Sequence, residues 1–229
     1  LNGKVIKLII DTHIHENRYS GDSEVSLETV IFKAKKMGLD GICITNHENQ
    51  KVKKLVNKLN KKTDLLILVG AEILTYEGDI LVFGINKLPD KKLHAVELIN
   101  YVNKRGGVTI SAHPFRNNNR GAGSKINKLS GLTGVEVLNG STSYKNNLKA
   151  YNLSQKLNLP TLGASDAHQS HKIGKYASYF EDSINNMQDF INAIKENRVS
   201  PAVYYNDSYK ILNNLKNNRK YFYKKTAIK

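Results

Sequence analysis

Histidine and carboxylate residues follow several strand-like runs of this 229-residue chain, and five of its seven histidines occupy such positions. The segments are 11–15 (DTHIH), 45–48 (TNHE), 70–72 (GAE), 111–114 (SAHP) and 163–168 (GASDAH). Neutral imidazole nitrogens and carboxylate oxygens are ligands that Zn, Mn and Fe ions accept in proteins. The segments together predict a site for divalent metal ions.

The spacing within two of these segments allows neighbouring side chains to act together. Residues two apart in an extended segment project to the same side, so His13 and His15 are expected to face one ion. Asp166 and His168 have the same spacing. A single His-x-His pair is a weak signal. A set of ligand-type residues at several separate strand ends is a much stronger one, because each would otherwise need its own structural explanation.

The elements that must position these residues alternate along the chain. Apolar, β-branched runs predict strands at 7–11, 41–45, 65–69, 72–75, 80–85, 108–111, 134–138, 161–163 and 176–180. Helical spacing predicts helices at 27–37, 51–62, 91–104, 144–157 and 187–197. Repeated β–α units favour parallel strands covered by helices. About seven units favour a TIM-barrel-like closure over an open sheet, with functional residues at the carboxyl ends of the strands.

Composition limits the class of protein. A hydrophobic fraction of 40% and a charged fraction of 24% are typical of a folded chain. No apolar run approaches the ~18 residues that span a bilayer, so no membrane partner is expected. The single cysteine, Cys43, excludes a disulfide framework and a multi-cysteine zinc site, and favours a reducing, cytoplasmic location. The net charge of +15 favours anionic partners.

The positive charge is concentrated at the carboxyl end. Residues 210–229 contain seven Lys or Arg and no Asp or Glu, beside the aromatic residues Tyr209, Tyr221, Phe222 and Tyr223. We therefore divide the chain into a metal-binding domain, 1–205, and a basic helical tail, 206–229. Two interpretations of the tail stay open: a solvated terminal helix, or a contact with nucleic acid.

The ligand segments also resemble a known family. The strings DTHIH at 11–15, YSGDS at 19–23 and ITNH at 44–47 are similar to the opening motifs of the PHP family, the polymerase and histidinol phosphatase domain. GAEI at 70–73, AHPF at 112–115, VEVLNG at 135–140 and GASDAH at 163–168 resemble its later motifs in order. The resemblance covers about residues 8–180. It implies a distorted barrel of seven β/α units with two to three divalent metal ions.

The resemblance also assigns ligands residue by residue. It implies that His13, His15, Glu72 and Asp166 bind a first ion. Glu72 would also reach a second ion together with His113. Asp22, His47 and His168 would hold a third ion.

Two positions depart from the family pattern. Asn46 stands where many relatives have Asp, and can still orient a neighbour by hydrogen bonding. Leu81 stands where many relatives have a histidine ligand, and cannot bind a metal. Asp79, two residues earlier on the same side of the strand, either supplies an oxygen ligand instead or is a turn residue, in which case the second metal site is weakened or empty.

The function that the resemblance implies is hydrolysis of a phosphomonoester or phosphodiester of a small metabolite, a nucleotide or an oligonucleotide end. Arg116, three residues after His113, is the first candidate for a phosphate contact, and Arg18 and Arg120 are further candidates. His171 is a candidate proton donor to the leaving group. Two other functions are considered: a metal-dependent amidohydrolase, and a non-catalytic module that binds nucleic acid or protein.

Overall fold

Strands and helices alternate through most of the chain, as the sequence pattern predicts. The computed structural model describes residues 8–60 and 62–222. The strands in these residues are β1 Leu8–Ile14, β2 Gly41–Ile44, β3 Leu66–Val69, β4 Ala71–Leu74, β5 Asp79–Phe83, β6 Val108–Ser111, β7 Gly134–Asn139, β8 Thr161–Ala164, β9 Tyr176–Phe180, β10 Val199–Tyr205 and β11 Ser208–Ile211. The α-helices are α1 Leu27–Lys36, α2 Lys53–Leu59, α3 Ala95–Asn103, α4 Tyr144–Lys156 and α5 Met187–Lys195, with 3-10 helices at Gly123–Lys128 and Lys216–Tyr221.

The strands form two mixed sheets. The order is β11-β10-β9-β1-β2-β3 in the first and β4-β5-β6-β7-β8 in the second. Strands β1, β2 and β3 run parallel, as do β6, β7 and β8, whereas β9, β10 and β11 are antiparallel to their neighbours. The predicted α/β class is confirmed. The predicted seven-unit barrel is not confirmed, because the described strands pair as two sheets rather than one closed ring.

Single β-bridges join the two sheets at the end where the ligand segments lie. One bridge pairs Ile14, at the end of β1, with Ala167, beyond β8. The other pairs His47, beyond β2, with Glu72 in β4. Because each bridge fixes a ligand or its immediate neighbour, the junction of the sheets sets the distances between the metal-binding side chains.

The helices pack apolar faces against the sheets. Helix α1 begins after Ser26, whose hydroxyl accepts a hydrogen bond from the Thr29 amide, and it buries Leu27, Val30 and Ala34. Helix α3 begins at residue 95 rather than at the predicted 91, because the Glu97 carboxylate accepts a hydrogen bond from the His94 amide at 2.9 Å. None of the described helices has the length and hydropathy that a membrane span requires.

The segment after residue 198 differs from the predicted helical tail. Strands β10 and β11 form a hairpin in which Tyr204 pairs with Tyr209. Asn206 and Asp207 connect the strands with φ angles of 49° and 57°, values typical of a two-residue type I′ turn. This Asn-Asp pair between β-forming runs is the sequence signal for the hairpin. Residues 223–229, the rest of the predicted tail, lie outside the described residues.

The residues just after this hairpin belong to the hydrophobic core. Leu212 and Leu215 are fully buried and pack in the same cluster as Val203 and Tyr176. Residues 206–215 therefore complete the first sheet and its packing. A truncation that tests a nucleic-acid role of the basic end should therefore begin after residue 222, because a cut near Asp207 would remove Leu212 and Leu215 from the core.

We predict that Leu212→Ala lowers the free energy of unfolding by about 2–5 kcal/mol, because it leaves a cavity in a fully buried site. The neighbouring Ile211 is 41% exposed and is the matched control. Ile211→Ala should change stability by less than about 0.5 kcal/mol. Urea denaturation measures both. Equally small effects would show that this segment is not part of the cooperative core.

Candidate metal centre

The ligand-type side chains of separate strand ends meet in one buried cluster. His13 lies in β1, and His15 follows it directly. The register of the β1–β2 pairing shifts between Asp11 and Ile14. The strand therefore contains an irregularity next to the two histidines. The Nε2 atoms of His13 and His15 are 2.9 Å apart. The two imidazoles therefore face one point, as a shared ion would require.

Glu72 in β4 lies at the centre of the cluster. Its Oε1 atom is 2.9 Å from the Nε2 atom of His113. Its Oε2 atom is 3.0 Å from His47 Nδ1, 3.3 Å from His15 Nε2 and 3.4 Å from His13 Nε2. A single carboxylate thus contacts four imidazoles that come from three different parts of the chain.

Three overlapping groups of ligand atoms could each hold an ion. Within each group the atoms lie within 4.8 Å of one another. The groups are His13, His15 and Asp166; His13, Glu72 and His113; and His15, His47 and His168. Each group overlaps one of the three ligand sets implied by the family resemblance.

Asp22 closes the outer side of the cluster. Its Oδ2 atom is 3.0 Å from His47 Nε2 and 3.1 Å from His168 Nε2, and its side chain is 53% exposed. His13, His15 and Asp166 lie at 0–1% exposure on the inner side. The cluster therefore runs from a buried end at β1 to an open end at His47 and His168.

The buried end fits a divalent cation chemically. Asp166 Oδ1 is buried, has no hydrogen-bond partner among the described residues, and lies 3.6 Å from His13 Nε2 and 3.7 Å from His15 Nε2. Buried polar atoms in proteins are almost always satisfied. Two imidazole nitrogens and a carboxylate oxygen that converge in this way are a donor set suited to Mn, Fe or Zn.

Asp79 occupies an intermediate position. It begins β5, and its Oδ2 atom is 3.8 Å from His113 Nε2 and 2.6 Å from Arg120 Nε. Its Oδ1 atom is buried without a hydrogen-bond partner among the described residues. Asp79 is therefore beside the cluster and has one oxygen atom free, as the ligand interpretation requires.

Burial and charge set the ionisation of the cluster. Burial lowers the pKa of His15 to about 4, so its imidazole is neutral, the form that binds metals. Burial would raise the pKa of Glu72, but the charge of His13 and the hydrogen bonds from its imidazole neighbours hold that pKa well below its usual range. Burial, reinforced by the charge of Glu72, raises the pKa of Asp79 to about 6.

Glu136 and Asn139 in β7 support the ligands, and we did not predict this role. Glu136 Oε1 lies 3.1 Å from His13 Nδ1, and Oε2 accepts a hydrogen bond from the His113 amide at 2.7 Å. Asn139 Nδ2 donates to Glu136 at 3.0 Å and to Asp166 Oδ2 at 3.2 Å. The signal in the sequence is a lone carboxylate inside the apolar strand GVEVLN, since a buried charge needs partners.

Ser20 and Asn46 support the open end. Ser20 Oγ is 3.3 Å from His15 Nδ1 and accepts a hydrogen bond from the His47 amide at 3.1 Å. Asn46 Nδ2 donates to Glu16 Oε1 at 2.7 Å, and Asn46 Oδ1 accepts from the Glu16 amide at 3.0 Å. Asn46 thus holds the segment after β1 against the segment after β2, the orienting role that we expected of it.

A cavity of about 370 Å³ opens onto the outer side of the cluster. Arg116 donates from Nη1 to Asp166 Oδ2 at 2.7 Å, and Arg120 donates from Nε to Asp79, so both arginines stand between ligand carboxylates and the cavity. Lys172, which was not predicted, donates to Ser141 Oγ at 3.3 Å. The lining residues are Asp22, Glu24, His47, Glu72, Arg116, Asn118, Arg120, Ser141, His168, Gln169 and Lys172.

Two predicted residues are not brought to this cavity. Arg18 is exposed on the turn after His15, and His171 is exposed on the turn after β8. Residues 169–175 form successive turns, with the Lys172 amide donating to Gln169 O at 3.1 Å. Adjacent side chains in such turns point in different directions, so Lys172 lines the cavity and His171 does not.

The sequence is similar to that of known proteins. Residues 145–199 match the PHP-associated family PHP_C. The chain is 32% identical over 139 residues to the uncharacterized protein MJ1587 of Methanocaldococcus jannaschii, which covers 56% of this chain and 80% of that protein. The chain belongs to the PHP domain family.

Solved structures show the same fold. A two-domain protein from Bacteroides vulgatus, which contains a predicted PHP-like metal-dependent phosphoesterase, superposes with a TM-score of 0.69 at 19% identity, over 88% of this chain and 65% of that chain. An amidohydrolase from Chromobacterium violaceum, with bound sulfate and no metal, gives a TM-score of 0.55 at 16% identity, over 69% of this chain and 87% of that chain. At these identities the similarity establishes the fold alone.

We predict that Glu136→Gln weakens Mn(II) binding by about 10–100-fold, because the residue orients two imidazole-bearing segments without being a ligand itself. Isothermal titration calorimetry on purified protein measures the affinity. Glu181→Gln, on an exposed residue, is the matched control and should bind as the wild type does. Equal Mn(II) affinity of the two variants would show that Glu136 does not support the metal ligands.

We also predict that Mn(II) affinity falls as the pH is lowered from about 7 to about 5, because bound protons compete with the metal for its ligands. Burial opposes the protonation of His47 and His113, but the Glu72 carboxylate outweighs it and raises the pKa of both. The pKa of Asp79 is raised to about 6. Asp79→Asn should flatten the profile near pH 6, and an unchanged profile in that variant would show that Asp79 is not a ligand.

Proposed function

We propose that this protein is a metal-dependent phosphoesterase that hydrolyses a phosphomonoester or phosphodiester. The observation that carries the proposal is that a cluster of metal-ligand side chains and a set of cationic side chains line the same cavity. The histidine–carboxylate cluster forms its inner wall, and Arg116, Arg120 and Lys172 stand around it. A phosphoryl group needs both, because its charge must be neutralised while its phosphorus is attacked.

The proposed cofactor is two to three divalent ions, with Mn, Fe and Zn as candidates. His13, His15 and Asp166 would hold one ion, Glu72 and His113 with Asp79 a second, and Asp22, His47 and His168 a third. Such ions lower the pKa of coordinated water and neutralise negative charge on phosphoryl oxygens. The oxygen atoms of Asp79 and Asp166 that lack partners support the first two assignments.

Arg116 and Arg120 would bind the phosphoryl oxygens. Their planar guanidinium groups match phosphate geometry, and each is already fixed by an ion pair to a carboxylate of the cluster. That pairing limits their rotamers, and both residues line the cavity. We propose Arg116 and Arg120 as the phosphate contacts in place of the exposed Arg18.

Lys172 lines the cavity and His171 does not, so we propose a role in the reaction for Lys172. Its ammonium group reaches Ser141 on the cavity wall, and none of the ion pairs among the described residues occupies it. An ammonium group there stabilises negative charge on a substrate oxygen that lies away from the two arginines. The exposed His171 has no proposed role in the reaction.

Amidohydrolase activity is the second candidate, and the similarity to the Chromobacterium violaceum amidohydrolase is what favours it. In that chemistry a carbamylated lysine at a strand end is expected beside the ligands. The described strands all end in residues other than lysine, and Lys172 lies on a turn and contacts Ser141. Phosphoester hydrolysis is therefore the better match to this cavity.

We predict that protein loaded with Mn(II) turns over a phosphomonoester or phosphodiester faster than a carboxamide. His13→Ala should lower kcat by more than about 100-fold, because loss of a ligand exceeds the effect of losing a supporting residue. His94→Ala is the control, since His94 is 62% exposed and contacts Glu77 rather than the cluster.

Steady-state kinetics with both substrate classes decide the proposal. Retention of wild-type phosphoesterase activity in His13→Ala would contradict the metal mechanism. Preferential turnover of the carboxamide would replace the phosphoesterase proposal with the amidohydrolase one.

A further inference from the structure

The β10–β11 hairpin stands at the same end of the fold as the cavity. Strand β9 begins directly after the turns that carry His168 and Lys172, and Tyr176 at its start pairs with Val203 in β10. Tyr204 and Tyr205 continue beyond that pair. The carboxyl end of β10 therefore lies at the same end of the sheet as the turns that carry Lys172.

Half-buried aromatic rings gather on this side of the hairpin. The rings of Tyr205 and Tyr221 have centroids 5.0 Å apart, at an interplanar angle of 70°. The Tyr144 and Phe222 centroids are 4.5 Å apart. Tyr144 begins helix α4 three residues after Ser141, which lines the cavity. Tyr144 thus links the aromatic rings to the segment that lines the cavity.

Lysines accompany these rings. The Lys175 amide donates to the Lys172 carbonyl at 3.1 Å, so Lys175 lies one turn beyond the cavity. Lys175 Nζ lies 5.3 Å from the centre of the Tyr176 ring, and Lys220 Nζ lies 5.0 Å from the centre of the Tyr221 ring. Both lysines are exposed, and none of the ion pairs among the described residues includes them.

The sequence around the hairpin contains almost no negative charge. Asp207 is the one carboxylate residue in 199–229, and seven Lys or Arg fall in the same range. We define the hairpin surface as Tyr144, Lys175, Tyr205, Lys220, Tyr221 and Phe222. Alternating aromatic and cationic groups with so little opposing charge match a polyanion that carries flat apolar rings.

We propose that the hairpin surface binds single-stranded nucleic acid whose terminal phosphate enters the cavity, so that the substrate is an oligonucleotide end. The role of the cavity rests on the proposed phosphoesterase function. Phosphates along the strand would contact Lys172, Lys175 and Lys220, and bases would stack on the half-buried tyrosine rings. A single strand presents those base faces, whereas in a duplex they are covered by neighbouring bases.

Fluorescence anisotropy of the full chain in EDTA, which prevents metal-dependent turnover, tests this surface. The probe is a 5′-phosphorylated oligothymidine of about ten nucleotides, a length typical of one single-strand site, compared with a duplex of equal length. We expect tighter binding of the single strand. The double variant Lys175→Gln/Lys220→Gln should weaken binding about tenfold and reduce the salt slope by about 1.4, since each single-strand phosphate contact contributes about 0.7.

Lys36→Gln/Lys58→Gln is the matched control, because it removes the same charge from the last turns of α1 and α2, at the opposite end of the strands. It should bind within about twofold of the wild type, because neither lysine would contact a phosphate. Tyr221→Leu should weaken binding several-fold with an unchanged salt slope, because it removes stacking and leaves the charge.

Three results would overturn the inference: no preference for the single strand, equal loss of affinity in the two lysine variants, or an acidic peptide that competes as well as the oligonucleotide. Manganese-dependent hydrolysis of a small phosphoester is measured separately on the wild type. This assay distinguishes a failure of the nucleic-acid surface from a failure of the proposed phosphoesterase function. Hydrolysis without oligonucleotide binding overturns the surface alone, and binding without any hydrolysis overturns the phosphoesterase alone.

Discussion

The buried Glu72 carboxylate is the group on which the rest of the site depends. It is 1% exposed and contacts His13, His15, His47 and His113 at 2.9–3.4 Å. An isolated carboxylate at such a position would cost several kcal/mol to bury, so it requires partners of complementary charge. Those partners come from β1, from the end of β2 and from the end of β6. One residue thus fixes the relative positions of three parts of the chain.

These parts come together because the chain passes from one sheet to the other at Gly70. The chain leaves β3 of the first sheet and enters β4 of the second across this single residue. A Cβ atom at Gly70 would lie 2.5 Å from the Phe83 ring and 2.7 Å from the Val82 carbonyl oxygen, closer than packing allows. The close approach of backbone and ring places Glu72, two residues later, beside the ends of β1 and β2. Packing at the sheet junction and geometry at the metal centre are therefore coupled.

The sequence predicts that the inner side chains lie close together, because residue type and strand period determine their positions. His13 and His15 must share a side when the strand is extended, and Asp166 must lie near them when parallel strands end together. Glu136 is harder to recognise, since its importance lies in two hydrogen bonds to segments that are distant in sequence. Only the assembled sheets show which residues a buried carboxylate meets.

The features that depend on irregular backbone were predicted less well. The positions of His171 and Lys172 are set by turns, which Tyr209 stabilises through a hydrogen bond from its hydroxyl to the Gly174 carbonyl at 2.8 Å. No period in the sequence encodes that contact. The hairpin after residue 198 was missed because Pro201 interrupts the apolar pattern of β10, which left the Asn-Asp turn signal without a recognised strand before it. Closure into a barrel likewise depends on which edge strands pair, and hydrophobic periodicity does not report pairing.

An anomalous difference map from crystals grown with Mn(II) is the most direct test of the account. The account predicts peaks between Glu72 and the imidazoles around it, with ligand distances of about 2.0–2.3 Å. Well-ordered crystals that show no anomalous peak within reach of Glu72, with its imidazole neighbours turned away, would contradict the metal centre and the function built on it.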